Sequence, residues 1–155
     1  FGRLSAADKD AALEQCRALV SSLQPGYDHT REIQLTDELA LGDTMLLMKG
    51  DELRGFALCH TAPLVEGRAR EDLRVLKLAL ADDVMLDETV RLLSDLARRC
   101  GTRRVSIRMQ GDYEQAYLRL IAMRGRVRWT DLRMSLGGYP ERKPQRGIVL
   151  SNWEI

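Results

Sequence analysis

Residues 79–89 read ALADDVMLDET and join a strongly apolar run to an amphipathic helix pattern. A strand that turns into a helix is a natural phosphate seat, because free backbone N–H groups gather there at the positive end of the helix dipole. Such a seat calls for glycines, which let the main chain close on the ligand without a Cβ in the way. This turn has none, and it carries four carboxylates in seven positions: Asp82, Asp83, Asp87 and Glu88. One carboxylate about 6 Å from a phosphate charge costs roughly 2–3 kcal/mol at an effective dielectric near 20. Two or three would cancel much of what a helix N-terminus offers. The residues predict a capped, phosphate-free helix start, with Asp87 or Glu88 on the first-turn N–H groups. The competing reading is a divergent phosphate site held by backbone alone and helped by Arg98 or Arg104.

Other reactive side chains are few. Cys59 and His60 are neighbours, but adjacent strand residues point to opposite faces, so they cannot form a nucleophile–base couple. His60 reads as a hydrogen-bonded residue at a strand edge. Two histidines and three widely spaced cysteines make no metal-ligand cluster. Cys16, Cys59 and Cys100 are odd in number and set in apolar patterns, which indicates buried free thiols in a reducing, cytoplasmic compartment.

Charge is unevenly spread. Residues 1–97 hold 11 Lys and Arg against 18 Asp and Glu, whereas residues 98–133 hold ten arginines against three acids. This split reads as two solvated faces, or as an anion-facing side on the arginine-rich half. Aromatic residues are 5% of the chain, so stacking on nucleic-acid bases has little support. No window approaches 18 uncharged apolar residues, which disfavours a membrane span. A length of 155 residues fits a single domain over 1–155, and the Met-less start at Phe1 reads as a fragment with more protein upstream.

These residues must be placed by regular elements. Residues 6–23 put Ala12, Cys16, Leu19 and Leu23 on one helical stripe, with Ser5 as cap and Pro25-Gly26 as stop. A weaker helix follows over about 30–41, closed by Gly42. TMLLMK and RGFALCHT, joined by Gly50-Asp51-Glu52, read as a hairpin. DLRVLKLALA, 72–81, leaves only Arg74 and Lys77 polar after its first residue and belongs in the middle of a sheet covered on both faces. Residues 86–100 are a helix with Gly101 as C-cap. RRVSIRMQ alternates as a strand, and YEQAYLRLIAMR is a fourth helix. RVRWTDLRMSL changes apolar phase, predicting a strand with a bulge near Thr130-Asp131. GIVLSNWEI is a last strand. The order predicts an α/β domain, a central mixed and mostly antiparallel sheet flanked by about four helices.

That order resembles the GNAT superfamily of N-acetyltransferases. GRLSAADKDAALEQC looks like that family's first strand leaving for helix one, and LLMKGDELRGFALC like its second and third strands. Ala116–Gly125 resembles the later helix that runs into an Arg-Gly or Leu-Gly turn. The resemblance covers nearly the whole chain and implies acetyl-CoA as cofactor, its pyrophosphate on a glycine-rich turn after the central strand. The matching window here, DDVMLDE, fits that pattern at no position. It also implies a tyrosine general acid four residues past an Ala. Ala116 is followed at that spacing by Leu120, which leaves Tyr117, one turn earlier on the same stripe, as the candidate ahead of Tyr113. Glu71 and Asp72, before the central strand, are candidates for the family's general base.

What the resemblance implies about function divides in two. In one reading the chain transfers acetyl from acetyl-CoA to a small-molecule or peptide amine, with backbone groups of Leu78, Ala79 and Leu80 polarising the thioester and Arg98 and Arg104 helping the phosphates. In the other the chain is the non-catalytic half of a tandem acetyltransferase, or one half of a homodimer, and serves an interface or shapes a substrate cleft. The acid-filled turn and the absent tyrosine favour the second. Nucleic-acid binding through the arginines is a third and weaker reading.

Overall fold

The structure is a computed structural model that describes residues 1–63, 71–131, 137–138 and 143–151. Helix α1, Ala6–Leu23, opens on the Ser5 hydroxyl, which accepts from the Asp8 N–H at 3.2 Å. Its buried stripe is Leu13, Cys16 and Val20. Helix α2, Thr30–Glu38, starts where the Asp28 carboxylate accepts from the Thr30 N–H at 2.9 Å. It ends earlier than its sequence suggests: the left-handed residue that closes it is Ala40, φ 51°, and not Gly42. Gly42 opens strand β1, Gly42–Lys49, where a Cβ would lie 1.9 Å from the Cys59 carbonyl oxygen. Glycine is needed there for close approach of two strands, not for turning.

Strand β2, Glu52–His60, returns antiparallel to β1 across Gly50-Asp51, as the hairpin pattern predicts. Strand β3, Asp72–Leu80, pairs antiparallel with β2. The register steps from Leu58 opposite Lys77 to Cys59 opposite Val75, so Leu76 is an extra residue, a β-bulge in the middle of the central strand. A bulge resets the side-chain alternation. Leu73 and Val75 before it, and Leu78 and Leu80 after it, share one face, while Leu76 and Ala79 lie on the other.

A single 3-10 turn, Asp83–Met85, leads into helix α3, Leu86–Arg99, which ends before Gly101 at φ 72°. Strand β4, Arg104–Ile107, pairs parallel with β3, and helix α4, Glu114–Ala122, follows. Residues 126–131 carry neither helix nor strand, so the strand expected there is absent over its described part, and 132–136 lie outside the described residues. Strand β5, Ile148–Ser151, closes the sheet. Its neighbour is β3, antiparallel along Lys77–Leu80.

The result is a mixed, mostly antiparallel sheet with helices on both faces. Leu13, Val20, Ile33 and Phe56 pack between the sheet and α1/α2. Leu78, Leu86, Leu93 and Ile148 pack on the side of α3 and α4. Among the described residues no helix is long and apolar enough to cross a membrane.

Candidate functional site

The central strand has one edge shared by two partners. Strand β4 takes Asp72–Val75 and β5 takes Lys77–Leu80, and the handover falls at the Leu76 bulge. Beyond the bulge β4 has ended at Ile107, and Ile148, Val149 and Leu150, all buried, take the edge of β3.

Main-chain geometry follows from who bonds Val149. The Tyr113 hydroxyl donates to the Val149 carbonyl at 3.0 Å and accepts from the Val149 N–H at 3.1 Å. Val149 therefore turns its polar groups away from β3, and ladder alternation puts those of Leu78 and Leu80 toward β5. Ala79 faces β2 instead, as does Ala81, whose N–H donates to the Arg54 carbonyl at 2.8 Å. Leu78, Ala79 and Leu80, the residues expected to lend backbone groups to the thioester, are thus laddered by β2 and β5 on both sides. A four-residue apolar run announces burial, but it does not name its neighbour.

The turn after β3 is capped from within. Asp82 Oδ1 accepts from the Val84 N–H at 3.1 Å, and the Met85 N–H donates to the Asp82 carbonyl at 3.2 Å. The capping acid is Asp82, not Asp87 or Glu88. Asp87 instead meets Arg119 of α4, whose Nε lies 2.9 Å and Nη2 2.8 Å away. The same guanidinium donates to the Asp83 carbonyl at 2.7 Å. Arg119 is the residue at this turn that sequence reasoning passed over; it carried no signal beyond membership of the arginine-rich half.

Arg98 and Arg104 stand elsewhere. Helix α3 runs back along β3, so Arg98 lies on the order of 18 Å of helix rise from Leu86 and pairs with Asp95. Arg104 pairs with Glu71 and Asp72 at the start of β3, on the order of 25 Å of strand from Leu80. Arg98 and Arg104, the arginines expected to help the phosphates, are thus both paired away from the turn. Glu71 and Asp72 are engaged in that pairing, and Asp72 also lies 3.5 Å from Arg128.

Both arginines line a different feature, a cleft of about 770 Å³ between α3, β4, α4 and residues 123–131. Eight arginines line it against two aspartates, over a floor that includes Val75, Ile107 and Leu120. Several of its cations are already paired, among them Arg108 with Asp131. Tyr117 is 41% exposed and lines this cleft, whereas Tyr113 is buried against β5.

A buried polar cluster lies on the opposite face. Lys77 donates from Nζ to the Ser151 hydroxyl at 2.8 Å and stands 3.7 Å from Glu32 of α2. Burial holds the Lys77 ammonium below the usual lysine range, and Glu32 pushes it part of the way back. His29 Nδ1 is 3.7 Å from the same carboxylate, and among the described residues neither ring nitrogen has a hydrogen-bond partner. Burial, then Lys77, keeps this imidazole below its ordinary value. His60 bonds Thr36 through Nε2 at 2.9 Å, the edge histidine its position suggests. Cys59 is buried, and burial drives its thiol far up, as it does Cys16, pushed up to about 12. These are packing thiols, not nucleophiles.

No family model and no curated protein sequence matches the chain. Solved structures do. A Trypanosoma brucei acetyltransferase matches at TM-score 0.62 and 14% identity, covering 82% of this chain and 94% of its own. The aminoglycoside acetyltransferase AAC(6')-Iy, in complex with the bisubstrate analogue CoA-S-monomethyl-acetylneamine, matches at TM-score 0.60 and 14% identity, covering 85% and 92%. A protein from Thermus thermophilus matches at TM-score 0.57 and 18% identity, covering 84% and 95%. The fold is that of the GNAT acetyltransferases. At these identities the likeness is one of fold, and AAC(6')-Iy shows that the GNAT fold holds coenzyme A in that protein.

Proposed function

We propose that this chain is a GNAT-type domain that does not load acetyl-CoA in the closed arrangement of its sheet, and that it serves as the non-catalytic partner of an acetyltransferase domain. Its role is to complete an interface with, or shape the substrate cleft of, an upstream domain or a second copy in a reducing, cytoplasmic setting. One observation carries this reading: β5 is laddered along Lys77–Leu80, on the edge an activated acyl group would need. Acetyl transfer to an amine requires a strand N–H aimed at the thioester oxygen. Here the N–H groups of Leu78 and Leu80 are spent on β5. The turn beyond supports the same reading, since Asp82 takes a turn amide and Asp83 and Glu88 add charge of the wrong sign.

A second reading is favoured by Arg119. Its guanidinium brings a cation onto the turn and offsets Asp87, so the site is less hostile to a diphosphate than its four carboxylates suggest. In that reading the chain transfers acetyl from acetyl-CoA to a small-molecule or peptide amine, with Tyr117 on the cleft wall as the candidate proton donor.

Calorimetric titration separates the two. The first expects no saturable heat with millimolar acetyl-CoA. Saturable binding, followed by turnover with any amine of a small panel, overturns it.

A further inference from the structure

Besides its ladder, strand β5 is held beside β3 by contacts at Tyr113, Lys77 and Gly147. Tyr113, at the start of α4, bonds both main-chain groups of Val149. Lys77 of β3 donates to Ser151. Gly147, at φ 80°, brings the chain in so tightly that a Cβ would sit 2.2 Å from the Leu80 carbonyl oxygen. What these contacts hold is small, four residues, with a phenol at Val149 where a longer sheet would have another strand. Short elements with little of their own ladder open first. The edge they cover, Leu78 and Leu80, accepts any extended chain that carries amides.

We propose that β5 is a displaceable latch over the cofactor seat: when it lifts, the main-chain groups of Leu78 and Leu80 open to the amide-bearing pantetheine arm of acetyl-CoA. The inference rests on the reading that the closed sheet excludes acetyl-CoA. The two occupants compete, because one N–H cannot serve both. Lifting does not strand the buried ammonium, since Lys77 keeps Glu32 at 3.7 Å when Ser151 leaves. It does withdraw Ile148 and Leu150 from the core, so the lifted state is a minor one and sets a conformational tax on binding. Arg119 stands at the turn just beyond Leu80, where an arriving diphosphate meets a guanidinium as well as carboxylates.

The test combines amide hydrogen exchange with acetyl-CoA titration on the full chain as wild type, Tyr113→Phe and Gly147→Ala. Amides of the β1–β2 hairpin report that the fold is intact. Loss of the two Tyr113 bonds is expected to speed exchange at Leu78, Leu80 and Leu150 roughly tenfold, to tighten acetyl-CoA binding by a similar factor, and to let the cofactor re-protect Leu78 and Leu80 while Leu150 stays fast. Gly147→Ala should do the same by a different route, so failure of one variant to fold leaves the other to decide. Faster exchange with no binding overturns the latch and leaves the exclusion reading standing. Unchanged exchange in the folded variants also overturns it. Saturable binding by wild type with Leu78, Leu80 and Leu150 all still protected overturns the exclusion reading itself.

Discussion

One side chain, Tyr113, satisfies both polar main-chain groups of Val149, donating at 3.0 Å and accepting at 3.1 Å. The phenol stands in for a neighbouring strand. Tyr113→Phe leaves a buried N–H and a buried carbonyl without that partner and should cost about 1–3 kcal/mol, read as a lower urea midpoint at unchanged slope. A loss below a few tenths would mean that water replaces the hydroxyl freely.

The turn at 82–88 separates capping from charge. Asp82→Ala removes the acceptor for the Val84 N–H and should cost about 1 kcal/mol. Replacing Asp83 and Asp87 with glycine removes two charges but leaves β5 on the edge. That double variant is expected to show no saturable acetyl-CoA heat; if it binds, carboxylates and not the strand were the obstacle.

Gly42→Ala tests how closely β1 approaches β2. The added methyl meets the Cys59 carbonyl oxygen at 1.9 Å, a backbone atom that cannot swing aside. The expected cost is about 1–3 kcal/mol, with exchange protection lost first at the His60 end of the hairpin.

His29 makes stability depend on pH. Burial and Lys77 hold its pKa below the ordinary 6.5, so below that pH the unfolded chain binds a proton that the native imidazole refuses. Stability should therefore fall as pH drops through about 6.5 and on toward the folded value. Glu32 and Asp28, which favour the charged ring, moderate the effect. His29→Phe, which deletes two buried ring nitrogens, should flatten the profile, leaving the slope due to His60, shifted the same way by burial and Arg74. An identical profile in the variant would assign the dependence to other groups.

Much of this architecture can be read from residue order. Ser5, Gly50-Asp51 and Gly101 each act locally, and local chemistry shows in a local window, whereas the stripe of α1 is turned from the expected Ala12, Cys16, Leu19 and Leu23 so that Leu13, Cys16 and Val20 are buried. The Leu76 bulge was not read: Leu76 and Ala79 are apolar as well, so the step from 73 and 75 to 78 and 80 shows only once the two faces are known. Residues 126–131 show the limit of the same argument, since a phase change was read there as a bulged strand and no strand forms. The site was less legible because its determinants are pairings across long separations. Nothing in IVLS says that its neighbour is Lys77–Leu80, and nothing in YEQAYLRL says that Tyr113 reaches β5 while Arg119 reaches the turn. Lys77 looked like the polar interruption of a buried strand; its meaning comes from Glu32 and Ser151, which only the fold brings together.

Lys77 and Ser151 lie 74 positions apart. A ribosome adding about 5–20 residues per second needs roughly 4–15 seconds to make that stretch. For that interval the nascent chain holds a central strand with a bare apolar margin, the kind of margin that recruits strands from other molecules. The margin stays bare until Ser151 has emerged, so slowing or stalling translation before that point should send this protein toward chaperones or aggregates more than the same delay imposed within α1 or the first hairpin.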